Sequence, residues 1–364
     1  MVDYKARIAE LEAELSRMQY NKATQHHYGL IRAKIAQLKK KDEARSAKGG
    51  KSEGYEVRKT GDGTVLLLGF PSTGKSTLLN ALTGAKSEVG AYAFTTLTIV
   101  PGMLKYKHAR IQILDVPGIV QGAASGRGRG KEVLSTMRSA DLAVILVDVT
   151  RPEELAVIRR EVYDTNIRLD QRKPDVRVKK KARGGIRIGR TVATPLLDNA
   201  TIEAILKEFR INNADVTIRS PITADELIDV LEGNRVYIPS VLVVNKADLA
   251  TPEQLARVAQ ELKPDLIMSA KRGDHLDELK ELIFTRLDLI RIYLKEPGKP
   301  ADMEVPLIMF RGSTVRAVCE KLHRDFVSKF KFARVWGPSA RFAGQRLMLG
   351  HHLKDGDVLE IHLR

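Results

Sequence analysis

The segment Gly69-Phe70-Pro71-Ser72-Thr73-Gly74-Lys75-Ser76-Thr77 has the spacing G-x-x-x-x-G-K-S and lies between an apolar run, VLLLGF (65–70), and a helical pattern, STLLNALT (76–83). That context predicts a phosphate loop. The glycines let backbone N–H groups close around phosphate oxygens, and the following helix adds the positive end of its dipole. Lys75 is expected on the β- and γ-phosphates and Ser76 on Mg²⁺. Asp115-Val116-Pro117-Gly118 closes a second apolar run, IQILDV (111–116). Asp115 is expected to hold Mg²⁺ through water, and the Gly118 N–H to meet the γ-phosphate. Asn245-Lys246-Ala247-Asp248 closes a third run. There Asp248 can accept from both N1–H and the exocyclic amine of guanine, a donor pair that adenine lacks, so adenine would leave buried polar groups unpaired. Lys246 is expected along the base plane, and Ser269-Ala270-Lys271 to offer the Ala270 N–H to guanine O6. Phe94-Thr95-Thr96-Leu97 supplies two adjacent hydroxyls, one of which would close onto Mg²⁺ and the γ-phosphate, with Thr96 favoured over Thr95. Lys75, Thr96 and Gly118 are thus the candidate catalytic groups, and Ser76, Thr96 and Asp115 the candidate Mg²⁺ ligands. Together these patterns predict a GTPase.

Positioning these loops requires strands that end at them. The runs VLLLGF, ARIQILDV, ADLAVILVDV and SVLVVNKAD alternate with helical stretches, which predicts a parallel α/β sheet with functional loops at the strand ends. Five segments are expected. Residues 1–60 form a helical hairpin (helices near 3–19 and 25–44, Thr24 as a cap) and a Gly-rich linker. Residues 61–167 begin the sheet domain, 168–236 interrupt it with a small basic α/β subdomain, and 237–295 complete it, closing on a helix near 275–293. Residues 296–364, after the linker PGKP, read as a β-grasp module with one helix on a small mixed sheet.

The chain has 364 residues with 61 Lys and Arg against 45 Asp and Glu, a net charge of +16. Residues 171–190 alone carry nine basic side chains and one Asp, whereas segments outside 1–60, 171–190 and 301–364 sum to −2. Basic attachments on a nearly neutral core imply a polyanionic partner, RNA rather than membrane or DNA. Arg172, Lys173, Arg177, Lys179, Lys180, Lys181, Arg183, Arg187 and Arg190 include no aromatic neighbour for stacking, so backbone contact is expected rather than base reading. Lys329, Lys331, Arg334, Trp336, Arg341 and Arg346 near Phe330 and Phe332 suit an RNA or protein surface, or else the aromatics are core. No apolar run is long enough to span a bilayer. The N-terminus has no signal-peptide core, and the single Cys319 excludes a disulfide framework. A cytoplasmic location is expected. His26, His27, His351 and His352 lack a ligand set around them.

The motifs GFPSTGKST, GAYAFTTLT, DVPGIVQGAASGRGRG, NKAD and SAK, with NKATQHH between two N-terminal helices, make the whole chain similar to the DRG family of the Obg-related branch of translation-factor-class GTPases, of archaeal or eukaryotic type. The resemblance implies an N-terminal helix-turn-helix region, a GTPase domain, an inserted ribosomal-protein-like subdomain and a C-terminal TGS domain. It also implies association with ribosomes or ribosomal RNA, and a dedicated protein partner. Many GTPases carry Gln after D-x-x-G to orient the attacking water, whereas this chain has Ile119, which has no polar atom to do so. Hydrolysis is expected to be slow and to rely on Mg²⁺, the switch backbone, another group in cis or a partner. Ser72 stands where K⁺-stimulated relatives often carry Asn, so K⁺ is a candidate cofactor. Gly122–Gly130 is expected to make the second switch mobile, with Arg127 and Arg129 either stabilising charge, touching RNA or simply solvated. The alternatives are a slowly hydrolysing, GTP-dependent adaptor for RNA or proteins, and an adenine-nucleotide enzyme, against which Asp248 argues.

Overall fold

The computed structural model describes residues 4–19, 21, 24–47, 61–84, 100–115, 139–195 and 197–364. The chain divides into two compact units, Met1–Gly54 with Asn166–Tyr237, and Tyr55–Thr165 with Ile238–Arg364.

The second unit holds a six-stranded sheet built from β1 (Gly63–Leu68), β2 (Val100–Tyr106), β3 (Ala109–Asp115), β4 (Leu142–Asp148), β10 (Ser240–Asn245) and β11 (Leu266–Ile267), in the order β11-β10-β4-β1-β3-β2. All neighbours are parallel except the edge strand β2, which is antiparallel to β3. Every residue of β1, β4 and β10 is buried, as parallel strands covered on both faces must be. Helices α3 (Lys75–Thr83), α4 (Glu154–Asp164), α7 (Pro252–Leu262) and α8 (Leu276–Arg286) accompany the sheet. Leu78, Leu79 and Leu82 of α3 and Leu279 and Ile283 of α8 join Val65, Leu67, Val144 and Val243 in one core.

The same unit contains a five-stranded mixed sheet, ordered β13-β12-β16-β14-β15, from β12 (Leu289–Lys295), β13 (Leu307–Phe310), β14 (Phe330–Trp336), β15 (Gln345–Leu347) and β16 (Asp357–Leu363). Helices α9 (Val315–Leu322) and α10 (Arg324–Lys329) lie in the connection from β13 to β14. This is the β-grasp arrangement. It begins earlier than the hydropathy pattern suggested. The helix near 275–293 stops at Arg286, Asp288 takes a left-handed φ of 53°, and LIRIYLK is a strand whose Ile290 and Ile292 face the core. Leu289 and Ile308 pack into the core of the six-stranded sheet, and Lys321 Nζ donates to Asp62 Oδ1 at 2.8 Å, so the two sheets share a hydrophobic seam and an ion pair.

The first unit pairs α1 (Tyr4–Arg17) and α2 (Gln25–Ala47) with the interrupting segment. Leu11, Ile31 and Ile35 hold the two helices together, while Ala33 joins Ile202, Ile205, Val216 and Leu227 in the core of the segment 168–236. A Cβ on Gly29 would come within 2.9 Å of Thr201 Cγ2, so glycine there permits close approach of α2 to α5 (Asn199–Glu208). The Thr24 hydroxyl donates to the Gln19 carbonyl at 2.6 Å and accepts from the Asn21 N–H at 3.0 Å, so it closes the turn that leads into α2.

The interrupting segment is a three-stranded sheet, β6-β8-β7, with α5 and α6 (Ala224–Glu232), closed by the short pair β5 (Ile167–Leu169) and β9 (Val236–Ile238). Strands β6 (Val176–Lys180) and β7 (Ile186–Arg190) are the basic tract itself, flanking β8 (Ala214–Ile218). Val176, Val178, Ile186 and Ile188 turn to the core. Register pairs Lys179 and Arg187 with Asp215, and Arg177 and Gly189 with Thr217, so these side chains share the opposite, outward face.

Candidate functional site

Gly69 leaves β1 and the loop wraps back onto α3. A Cβ on Gly69 would lie 2.6 Å from the Leu146 carbonyl oxygen, and one on Gly74, at φ 96°, would collide with the Asn245 amide nitrogen. Both positions therefore require glycine for steric reasons before any ligand is considered. Ser72 also adopts a left-handed φ of 64°. Thr73 is fully buried and its hydroxyl donates to the Phe70 carbonyl at 2.9 Å, which braces the loop. Pro71, Ser72, Ser76 and Thr77 are exposed.

Lys75 Nζ donates to the Gly69 and Phe70 carbonyls, each at 2.9 Å, and so lies across the mouth of its own loop. Burial lowers its pKa, and the nearby carboxylates of Asp115 and Glu154 oppose that shift. A phosphate in the loop would supply the stronger acceptor and favour the charged form. Ser76 Oγ donates to Asp115 Oδ2 at 3.0 Å, while Asp115 Oδ1 is buried with no hydrogen-bond partner among the described residues. A hydroxyl and an orphaned carboxylate oxygen converging beside a phosphate loop are hard oxygen donors, and they fit Mg²⁺.

Asn245 ends β10 and connects the two halves of the site. Its Nδ2 donates to the Thr73 carbonyl at 2.8 Å, and its Oδ1 accepts from the Ala270 N–H at 2.9 Å. The Ala270 N–H, expected on guanine O6, is therefore engaged by Asn245 in this structure, and Ala270 serves as an anchor of the loop. Ser269, fully buried, donates from Oγ to Asp248 Oδ1 at 2.6 Å, and this bond holds the Asp248 carboxyl below its usual range. Lys246 has a left-handed φ of 64°, and Lys271 is exposed.

Sequence reasoning overlooked Asp148. It ends β4 directly opposite Asn245 and accepts from Lys246 Nζ at 2.7 Å. Burial alone would raise its pKa. The hydrogen bonds from Lys246 and from the Thr150 N–H and hydroxyl outweigh it and hold the carboxyl at about 2. Phe94, Thr95, Thr96, Leu97, Gly118, Ile119, Gly122–Gly130, Arg127 and Arg129 lie outside the described residues.

On the β-grasp sheet, Phe332 and Trp336 lie on the face opposite the core residues Ala333 and Val335. Phe332 stacks on His362 with ring centroids 4.2 Å apart and carries the Arg346 guanidinium 3.7 Å from its centroid, while Lys295 Nζ sits 5.0 Å from the Trp336 ring. No group of three or more His, Cys, Asp or Glu among the described residues is arranged to hold a metal ion. His27 pairs with Glu14 at 2.8 Å, and His351 with the Ser339 hydroxyl at 2.9 Å.

Comparison with known proteins matches residues 64–181 to a family described as 50S ribosome-binding GTPase, residues 183–289 to the C-terminal region of that domain, and residues 290–363 to the TGS domain. A GTP-binding protein of Methanocaldococcus jannaschii is 55% identical over 361 residues, covering 98% of this chain and 92% of the relative. Developmentally-regulated GTP-binding protein 1 of Xenopus laevis is 44% identical over 360 residues, covering 98% of each chain. Human developmentally-regulated GTP-binding protein 2 is 41% identical over 361 residues, again covering 98% of each. With this identity over nearly its whole length, the chain belongs to the developmentally regulated GTP-binding protein family, a P-loop GTPase fold followed by a TGS domain.

Proposed function

We propose that this protein hydrolyses GTP to GDP and phosphate slowly, and that its nucleotide state gates attachment to ribosomal RNA in the cytoplasm during translation. Lys75 and the N–H groups of the loop Gly69–Thr77 would bind the phosphates. Asp248, with Ser269 behind it, would accept the guanine donors, and Lys246 would lie along the base. Ser76, Asp115 and Thr96 would hold Mg²⁺, which when bound neutralises charge on the phosphates. Gly118 would bring its N–H to the γ-phosphate. Because Ile119 cannot orient the attacking water, K⁺ near Ser72 would aid hydrolysis instead by adding positive charge at the phosphates; equal turnover in KCl and NaCl at matched ionic strength would remove K⁺ from this scheme.

The observation that carries the RNA reading is the outward face of the β6-β8-β7 sheet. Arg177, Lys179 and Arg187 share it, and Asp215 at its centre is paired with Lys181 at 2.5 Å. Apolar residues on the other face fix the strands, so the cations are presented on a rigid surface and not on a wandering loop. Such a face suits phosphate backbone contact without base reading. A dedicated protein partner is part of the same reading.

Ribosome co-sedimentation at near-physiological salt, with a non-hydrolysable GTP analogue compared with GDP, tests it. Stronger binding with the analogue is expected. Equal binding would favour an adaptor held by charge alone, and no binding in either state would overturn the ribosomal assignment.

A further inference from the structure

Lys246 has a task that its backbone does not complete. Its main chain is fixed in a left-handed turn, with the Ala247 N–H bonded to the Met268 carbonyl at 3.1 Å. Four carbons separate that turn from the ammonium group, and a lysine stem of this length loses substantial rotamer entropy when it is ordered. A lysine that must lie flat along a base gains if something other than the ligand has already ordered it.

The group that does so is Asp148. Its side chain is only 4% exposed, and Oδ2 accepts from Lys246 Nζ at 2.7 Å. The other oxygen, Oδ1, accepts from the Thr150 N–H at 3.0 Å and the Thr150 hydroxyl at 2.8 Å, which fixes the plane of the carboxylate. Arg151 adds a second brace, with Nη2 3.4 Å from Asp148 Oδ2 and Nη1 2.7 Å from Glu154 Oε1. Glu154 is itself 8% exposed, so the brace is anchored in the interior and not in solvent.

Placement in the sheet gives this cluster its meaning. Asp148 and Asn245 are register partners on the adjacent parallel strands β4 and β10. From one of these neighbouring positions Asn245 ties the phosphate loop to the Ser269–Ala270 segment. From the other, Asp148 holds the lysine of the base-reading loop. Two polar strand ends side by side thus set both the span from phosphate to base and the direction of Lys246.

We propose that Asp148 is a positioning residue for guanine-nucleotide binding, acting through Lys246 and braced by Thr150, Arg151 and Glu154. It contacts no part of the nucleotide itself. Its removal lets the lysine stem sample rotamers that binding must then restrict, and leaves an unpaired ammonium beside the base.

A double-mutant cycle on the full-length protein tests the assignment, with dissociation constants for fluorescent GDP measured for Asp148→Ala, Lys246→Ala and the double variant. Each single variant is expected to bind GDP about tenfold more weakly, the scale of one charge-assisted hydrogen bond. The double variant is expected to be no more than about twofold worse than Lys246→Ala alone, because the aspartate acts only through the lysine. Asp148→Asn keeps an acceptor for Lys246 and is expected to lose only about threefold, a fraction of that bond's worth. If Asp148→Ala does not fold, the cycle is run with Asp148→Asn. Multiplicative losses in the double variant, or unaltered GDP affinity in the single Asp148 variant, would overturn the proposal. The inference rests on guanine-nucleotide binding by this site, and the unsubstituted protein in the same titration tests that separately.

Discussion

Asp248 and Asn245 stand three residues apart and do different work. Asn245 is 2% exposed, with both ends of its amide bonded to protein. Asp248 is half-buried, and its Oδ1 accepts from the Ser269 hydroxyl. That hydroxyl aims an ionised carboxylate and keeps it ionised, the state needed to accept two guanine N–H groups. Replacing it by Asn removes the charge and one acceptor, so Asp248→Asn is expected to weaken GDP binding by about 1.5–3 kcal/mol, on the order of tenfold to a hundredfold. The melting temperature without nucleotide should change little, because Asp248 buries no ion pair. Competition titration with guanine and adenine nucleotides, together with a thermal melt, checks both halves; a variant with unaltered GDP affinity would show that the base is read elsewhere. The letters N-K-x-D were legible because each follows a strand at fixed spacing. Asp148 was not, because a single aspartate at a strand end carries no motif and its lysine lies 98 residues further along the chain. Only the β4–β10 register brings the two together.

At the scale of elements, the strands of the parallel sheet were legible because they are apolar throughout and end in polar loop residues. Two other elements were not. LIRIYLK continues a helical pattern in hydropathy, and only its ladders to β13 and β16 identify it as β12. VRVKK and IRIGR alternate apolar and basic residues as strands do, but their charge density reads first as a loop. The union of the hairpin with the segment 168–236 was hidden as well. Helix α2 presents Ile31 and Ile35 to α1, and Ala33 and Gly29 to the segment, so it has no single apolar stripe to reveal a partner. At the neck of that segment, Asp229 accepts bidentately from Arg168, Nε at 2.7 Å and Nη2 at 2.9 Å, and from Arg235 Nε at 2.6 Å. The Arg168 side chain is 3% exposed and that of Asp229 5%. Asp229→Ala would take the bidentate carboxylate from the buried Arg168 and one acceptor from Arg235, which keeps Glu232, and a cost of about 3 kcal/mol, the lower end for breaking a buried ion pair, is expected. A lowered urea midpoint for the transition of this unit, followed by circular dichroism, measures it. An unchanged midpoint would mean that water replaces the carboxylate without penalty.

Across the whole molecule, the net charge of +16 is carried by attachments to a nearly neutral nucleotide domain. A diffuse positive field and a built phosphate-binding face predict different salt behaviour. Each phosphate neutralised by a fixed cation releases counterions and steepens the fall of affinity with salt by about one unit of logarithmic slope, whereas remote charges act mainly through a field that is screened within about 10 Å at 0.1 M salt. Arg177, Lys179 and Arg187 stand on one outward face whose fold is secured by Val176, Val178, Ile186 and Ile188 on the other. Exchanging all three for Gln should therefore leave melting behaviour nearly unchanged, since exposed cations contribute little to stability. Binding to ribosomal RNA, measured as the logarithm of the association constant against the logarithm of KCl concentration, should weaken, with a slope shallower by about two to three. Gln keeps hydrogen-bonding capacity without the charge, so a reduced slope would report the lost cations. A slope unchanged within one unit would assign RNA attachment to other basic surfaces, and the β6-β8-β7 face would then owe its cations to solubility alone.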